Sequence, residues 1–271
     1  LFRRFAEEYV ASHVLSGRKS ESEKFAGAID TYAIEAMMQD KKALQAGTSH
    51  FLGQNFAKAF DVTYQNKNGE LEYVWASSWG VSTRLVGALI MAHSDDNGLV
   101  LPPKLAPLET VVIPIFKNKN REQVIEYARS IYKDLSSDFT LEFDDDENSS
   151  PGYKFSEWEL YGVPVRIEIG PRDMENNAAM LVRRDTREKI SVKRNQVREK
   201  LFEILETMQK DLFNKALEFR KENSYETSSY QDFQNILEDG GFITAGWCGS
   251  TACEEGIKQD TKATIRVLKE D

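Results

Sequence analysis

An arginine in front of an apolar helical segment is the feature of this sequence best suited to binding a charged ligand. Arg84 directly precedes a run of small and apolar residues, Leu85 to Ala92, which ends at a polar loop, His93 to Gly98. The run has the length and composition of a buried helix. A guanidinium held at its start can bind a phosphate or a carboxylate in a planar, bidentate way. A core helix with a surface arginine fits the same pattern.

A second polar group lies upstream, around Gly47. Gln45, Thr48 and His50 supply two neutral donors and an imidazole within six positions. Such a set can hold a carboxylate against a phosphate by positioning, without covalent chemistry by the protein. A histidine close to a glycine can equally be structural, so the residues alone leave both interpretations open.

The elements that must position these residues divide the chain into three predicted domains, 1–106, 107–195 and 196–271. In the first, the patterns predict helical spacing over 2–14 that stops at Gly17, a strand-rich stretch over 25–38, a helix over 52–60, a hairpin at Asn66 to Gly69 and a short strand over 99–101. Hairpins with few crossover helices predict an antiparallel sheet.

Beyond Pro107 the pattern becomes an alternation of strands and helices, which predicts a mixed sheet covered by helices and an α/β fold class. The predicted strands cover 110–116, 139–143, 163–169, 178–183 and 189–192, and the predicted helices cover 121–135 and 152–160. A long amphipathic helix over 196–223 leads to a small tail with a helix over 233–237 and a strand over 242–245.

Composition excludes several classes of protein. The chain has 271 residues, of which 41% are hydrophobic and 29% charged, as in globular proteins of more than one domain. Two cysteines give no disulfide framework, and no signal peptide or membrane span is visible, so we expect a cytoplasmic protein without a membrane partner. The net charge of −9 argues against indiscriminate binding of nucleic acid.

Residues Trp79 to Pro107 resemble motif 3 of the class II aminoacyl-tRNA synthetases, in the form used by prolyl-tRNA synthetases of the archaeal and eukaryotic type. Four further segments resemble that family in the same order: Lys24 to Gly27, Leu44 to Phe56, Ile167 to Asp173 and Trp247 to Gly249. The resemblance covers nearly the whole chain. It implies an α+β catalytic part with an antiparallel sheet, an anticodon-binding domain with a mixed five-stranded sheet, and a small α+β C-terminal domain.

The resemblance also implies a role for each candidate residue. It assigns ATP to Gln45, Thr48, Ser82, Arg84 and Gly87, with Mg²⁺ accompanying the triphosphate. It assigns proline to Phe25, His50, Trp79 and Gly80, with Arg84 and His50 as the catalytic residues. Ser82 is a mild departure, because the family often has threonine there.

A third implied site binds the anticodon of tRNA(Pro). Its candidates are Glu168, Arg172, Asp173, Arg183 and Arg184, because arginines and carboxylates read the edges of unpaired bases such as guanine. A solvated hairpin surface is the alternative for the basic residues. The implied activity is ligation of proline to tRNA by a homodimer. A non-catalytic RNA-binding paralogue and another class II synthetase remain alternatives.

Two features depart from the family. Its members carry motif 1, which builds the dimer, and motif 2, whose arginine binds ATP, ahead of the segment matched here, so we expect a C-terminal portion of a larger protein. Cys248 and Cys253 resemble two of the family's four zinc ligands, but no further cysteine follows them. We therefore expect no structural zinc and no other metal site. A disulfide or two plain thiols are the alternatives.

Overall fold

A computed structural model describes residues 1–269 of the chain. Up to His93, the helices are α1 (Phe2–Glu8), α2 (Asn55–Ala59) and α3 (Arg84–His93), and the strands are β1 (Val14–Arg18), β2 (Asp30–Met37), β3 (Ala43–Gly53), β4 (Thr63–Gln65), β5 (Leu71–Tyr73) and β6 (Ala76–Gly80). Next come β7 (Thr110–Pro114), α4 (Arg121–Leu135), β8 (Leu141–Phe143), α5 (Pro151–Tyr161), β9 (Val165–Ile169), α6 (Pro171–Glu175), β10 (Ala178–Arg183), β11 (Lys189–Lys193) and α7 (Val197–Glu222). The last elements are β12 (Ser224–Thr227), α8 (Tyr230–Asp239), β13 (Phe242–Ala245) and α9 (Thr251–Thr261).

These elements form two compact units. The first contains residues 1–8, 12–92 and those from 216 onward, and the second contains residues 9–11 and 93–215. The three predicted domains were drawn from the sequence pattern and stay a prediction. No helix within residues 1–269 combines the length and the apolar character needed to cross a membrane.

The first unit is built on an antiparallel sheet with the strand order β1-β2-β3-β6, which confirms the predicted antiparallel architecture. Apolar side chains of one face, including Val14, Ile34 and Ala36, pack against Ala6 of α1 and Ala88 of α3. Helix α3 is therefore fixed behind the sheet, with its N-terminal residue Arg84 immediately after the β6 edge.

The second unit is built on a mixed five-stranded sheet with the order β11-β10-β9-β7-β8, which also confirms the prediction. Strand β7 pairs in parallel with β8 and β9, whereas β9, β10 and β11 are antiparallel. Helix α4 covers the sheet with Val124, Ala128, Ile131 and Leu135, all buried. Their spacing of four, three and four places them on one helix face.

The C-terminal residues of the first unit form a small α+β part, in which β12 and β13 pair in parallel. The chain then returns to the four-stranded sheet of the first unit, where the Leu268 N–H donates to the Arg18 carbonyl of β1 at 2.7 Å. A Cβ atom added at Gly17 would lie 2.5 Å from the Leu268 carbonyl oxygen. Gly17 therefore permits this close backbone approach from within strand β1, and the prediction that it stops a helix is wrong.

Two other local predictions are wrong. The segment predicted as a helix over 52–60 begins with the end of β3, which runs through Gly53, and only α2 is helical. Residues 99–101 form no strand; instead Asp95 and Gly98 close a tight turn through paired backbone hydrogen bonds. In the first case the pairing of Gly53 with Ala76 of β6 overrides the local helical spacing, and in the second a local turn stands next to residues that pair with no strand within residues 1–269.

Candidate functional site

His50 lies in the middle of β3, opposite Thr31 of β2. Its Nδ1 atom is 3.0 Å from the Thr31 hydroxyl oxygen, and its ring centroid is 4.8 Å from that of Phe25. The Phe25 backbone N–H donates to the same hydroxyl at 3.1 Å. Burial lowers the pKa of His50 below its ordinary value, which favours the neutral imidazole. The structure thus brings together two of the residues predicted for proline.

Strand register decides which other candidates share a face with His50. Directly opposed residues of antiparallel strands point to the same side, and neighbours along a strand alternate. Thr48 is therefore on the His50 face, as are its partner Gly80 and the His50 partner Ser78. A bulge in β3 shifts the register between Gly47 and Gln45. Gln45 still lies on the His50 face, because its partner Glu35 is four residues from Thr31 on β2.

Trp79 is on the opposite face, because it pairs with Ser49. It lines a cleft of about 460 Å³ there, together with Phe2 of α1 and Tyr32 of β2. The Trp79 side chain is 63% exposed. Its assignment to the proline pocket stays a prediction, and the register does not support a wall shared with His50.

Arg84 begins helix α3 and is exposed. Its backbone N–H donates to the Ser82 hydroxyl at 3.3 Å, which tightens the turn into the helix. Within residues 1–269 its guanidinium makes no ion pair, so it is available to an anionic ligand. Three residues on, a Cβ atom at Gly87 would meet only Met91 Cε, at 3.8 Å, so the protein itself leaves this position open.

Two of the residues predicted for the anticodon, Glu168 and Asp173, already have protein partners in the second unit. The Glu168 side chain is 8% exposed, and its carboxylate lies 2.8 Å from Arg166 Nε and 3.3 Å from Lys189 Nζ. Asp173 accepts from the Gly170 N–H at 2.8 Å and so caps the start of α6. Arg172 is exposed beside them. Glu168, Arg172 and Asp173 lie together where β9 meets α6.

Arg183 and Arg184 lie at the other end of this sheet, because Arg183 pairs with Val165 at the start of β9. Both guanidiniums are buried in ion pairs: Arg183 contacts Asp185 and Asp211, and Arg184 contacts Asp95. The hydrogen bonds that the Arg183 guanidinium donates to the Asp185 carboxylate hold the pKa of Arg183 above its usual range. The structure therefore separates these two arginines from Glu168, and their assignment to tRNA stays a prediction.

Cys248 and Cys253 are free, exposed thiols at the start of α9. A backbone hydrogen bond involving Ser250 lowers the pKa of the Cys248 thiol below its ordinary value. Across residues 1–269 there is no group of three or more His, Cys, Asp or Glu side chains that could hold a metal ion. No metal ligands are assigned here.

Sequence reasoning missed Thr31 and Ser78, the two register partners of His50. It also missed Arg166, and it assigned Lys189 to the basic run without its contact to Glu168, although both side chains form ion pairs with that carboxylate. A regular antiparallel pairing of the two strands around the Asp40 turn would align Thr31 with Ser49, and it is the one-residue bulge in β3 that brings Thr31 opposite His50. Arg166 stands two positions before Glu168 on one strand and so shares its face, which the predicted strand over 163–169 already indicates. Lys189 could not be found that way, since its contact with Glu168 depends on how β9, β10 and β11 lie side by side.

Comparison with known proteins gives two family matches. Residues 109–204 match the family described as "Anticodon binding domain". Residues 230–271 match the family described as "Prolyl-tRNA synthetase, C-terminal". The first match covers the mixed sheet and the beginning of α7, and the second covers the small C-terminal part.

Similar proteins cover almost the whole chain. A proline--tRNA ligase of Porphyromonas gingivalis is 54% identical over 270 residues, which are 99% of this chain and 55% of that protein. A proline--tRNA ligase of Prosthecochloris aestuarii is 56% identical over 273 residues, which are 100% of this chain and 56% of that protein. The chain thus spans about half the length of the curated relatives it matches. The two family matches lie one after the other within the region that these relatives cover. The chain belongs to the prolyl-tRNA synthetase family.

Proposed function

We propose that the chain acts as part of a proline--tRNA ligase, which activates proline with ATP and transfers it to tRNA(Pro). The observation that carries the proposal is the sheet face shared by Gln45, Thr48 and His50, with Phe25 against the imidazole. This face offers neutral donors and an aromatic wall, as chemistry by positioning requires. The names of the relatives support the same activity.

The proposed reaction has two steps. A carboxylate oxygen of proline attacks the α-phosphorus of ATP, the new P–O bond forms prolyl-adenylate, and pyrophosphate leaves with the electron pair of the broken bond. A ribose hydroxyl at the end of the tRNA then attacks the prolyl carbonyl, loses its proton and displaces AMP. In both steps the residues named here bind and orient the reactants, and none of them forms a covalent bond.

ATP is proposed to contact Gln45, Thr48, Ser82, Arg84 and Gly87. The exposed Arg84 guanidinium supports this, since a triphosphate needs a cation that no protein carboxylate already neutralises. Mg²⁺ is proposed to arrive bound to the phosphate oxygens of ATP, where it would neutralise part of their charge. No protein ligand is proposed for it.

Proline is proposed to bind against Phe25 and His50, on the sheet face that also carries Gly80. The half-exposed Phe25 ring gives an apolar wall for the pyrrolidine ring. Burying an aliphatic ring of that size contributes roughly 2 kcal/mol. Ser78, on the same face, is a further candidate for a polar contact.

The second unit is proposed to bind tRNA(Pro) through the surface at the junction of β9 and α6. The family match to an anticodon-binding domain supports tRNA as the partner. Arg172 is the exposed cation of that surface, whereas Arg184 is buried. A tRNA-binding titration of Arg172→Ala at two salt concentrations tests this: weaker binding with unchanged thermal stability supports the surface, and unchanged binding contradicts it.

A homodimer in the cytoplasm completes the proposal, on the strength of the family resemblance. Light scattering of the full-length polypeptide that carries this sequence tests the dimer. A monomer that remains active would contradict it.

The decisive experiment is proline-dependent ATP–pyrophosphate exchange by that full-length polypeptide. Exchange with proline and not with threonine, lost in Arg84→Ala with the fold intact, is the expected result. Exchange driven by threonine, histidine or glycine would identify another class II synthetase. The absence of exchange, with tRNA still bound, would identify a non-catalytic RNA-binding paralogue.

A further inference from the structure

We propose that Thr31 is the positioning residue of the proline pocket: its hydroxyl donates to Nδ1 of His50 and so fixes the imidazole as the Nε2–H tautomer. That N–H is then the donor offered to an oxygen of the bound amino acid. The identity of the ligand rests on the function proposed above, whereas the tautomer does not.

The geometry places Thr31 between the two walls of the pocket. Its hydroxyl oxygen lies 3.0 Å from His50 Nδ1 and 3.1 Å from the backbone nitrogen of Phe25. The Thr31 residue is 3% exposed, so water cannot replace either partner. Because Thr31 and His50 are register partners, the contact is held by the backbone pairing of β2 and β3.

Counting hydrogens gives the direction of the hydrogen bond. A hydroxyl has one hydrogen and two lone pairs. The Phe25 N–H can only donate, so it occupies a lone pair of the Thr31 oxygen. The hydroxyl hydrogen still needs an acceptor, because leaving it unpaired inside the protein is costly. Within residues 1–269, His50 Nδ1 is the acceptor in reach, so Nδ1 is unprotonated and the neutral ring carries its hydrogen on Nε2.

The other ring nitrogen is left for a ligand. No protein group within residues 1–269 hydrogen-bonds to His50 Nε2, and the ring is partly exposed. Burial lowers the pKa of His50, so the neutral tautomer is the form present near pH 7. A neutral imidazole N–H can donate to a carboxylate oxygen of the amino acid. It also repels the positively charged amine of that amino acid less than a protonated imidazole would. Through its second contact, the Thr31 hydroxyl also fixes the backbone of Phe25.

The first test is the tautomer itself, measured by nitrogen NMR on the full-length polypeptide with ¹⁵N-labelled histidine. Loss of signals in His50→Gln assigns the His50 ring. We expect a pyridine-like Nδ1 and a pyrrole-like Nε2 in the wild type and in Thr31→Ser, which keeps the hydroxyl. In Thr31→Val, which has nearly the same shape, both nitrogens should shift toward a mixture of tautomers. A pyrrole-like Nδ1 in the wild type, or no change in Thr31→Val, would overturn the proposal.

The second test separates positioning from a structural role. Thr31→Val should raise KM for proline on the order of tenfold, the factor that one hydrogen bond supplies, and leave KM for ATP unchanged. Thr31→Ser should restore the wild-type value. Equal rises in both KM values, or no rescue by serine, would count against positioning. A wild type that shows the Nε2–H tautomer but no proline-dependent exchange would instead defeat the proposed function and leave the assignment of Thr31 standing.

Discussion

The Glu254 carboxylate accepts a hydrogen bond from the Ser20 hydroxyl at 2.7 Å, across 234 positions of sequence. Its second oxygen accepts from Ser22 at 2.9 Å. Ser20 opens the turn that ends at Lys24, next to Phe25. These two hydrogen bonds hold helix α9 against the segment 20–25, which carries Phe25 of the proposed proline pocket.

We predict that Glu254→Ala destabilises the first unit, because two serine hydroxyls lose a buried acceptor. Glu254 is 5% exposed, and removing such a partner costs about 1–3 kcal/mol of unfolding free energy. Urea unfolding followed by tryptophan fluorescence measures the change. The matched control is Glu255→Ala, one position along α9, where the side chain is exposed and the midpoint should hardly move. Equal shifts in both variants would refute the role of Glu254.

A second prediction concerns the buried ion pair of Lys19 and Glu35. Lys19 Nζ lies 2.8 Å from Glu35 Oε1, and the two side chains are only 3% and 0% exposed. Removing one partner leaves the other charge buried and unpaired, so Lys19→Met or Glu35→Leu should each cost roughly 3–5 kcal/mol of stability. The double variant Lys19→Met with Glu35→Leu should cost less than either single change. The unfolding free energies of the wild type, the two single variants and the double variant form a double-mutant cycle. If the loss in the double variant equals the sum of the two single losses, the two charges do not interact.

Prediction from sequence succeeded where a short window carries the information. The four buried positions of α4 repeat at helical spacing, so its limits were predicted without error, and α7 was predicted to within one residue at each end. Strand β1 was missed, because it is specified by its pairing with β2 and by the approach of Leu268 to Gly17. Neither contact leaves a local pattern.

The site shows the same limit. His50, Phe25 and Thr48 could be chosen by residue type and family resemblance, whereas Thr31 acts through register. The basic run that includes Arg184 predicts RNA binding, and in a sequence such a run looks the same whether or not its charges are paired. Its partner Asp95 stands 89 positions earlier, so only the folded chain shows that the guanidinium is occupied.

The pair of Arg184 and Asp95 leads to a prediction about pH. The guanidinium donates to both Asp95 oxygens, at 2.9 and 2.6 Å, and these bonds hold the pKa of Asp95 well below its usual range. Because the folded pKa is depressed, the pair stabilises the second unit at pH values above the unfolded pKa of about 3.9, and this stability is lost as the pH falls toward the folded pKa. Solvent screening limits the gain, since the Asp95 side chain is 41% exposed.

Asp95→Asn should therefore lower the thermal midpoint at neutral pH, and the difference from wild type should shrink as the pH is lowered from about 5 to about 2. Asp96→Asn, an exposed change at the adjacent position, is the control and should track the wild type throughout. Thermal scans by circular dichroism across this range give the answer. A difference that stays constant with pH would show that the Asp95 carboxylate is not the titrating group.

A substitution at Gly87 distinguishes an effect on ATP binding from an effect on folding stability. It lies inside α3, where alanine is a better helix former by about 1 kcal/mol, and a Cβ atom there makes only an ordinary contact with Met91. Gly87→Ala should therefore keep or raise the thermal midpoint. If adenine lies against this position, the added methyl group should raise KM for ATP in the exchange assay and leave KM for proline unchanged. Val86→Ala, an exposed change on the same helix, should alter neither KM. An unchanged KM for ATP in Gly87→Ala would place adenine elsewhere, even with Arg84 essential.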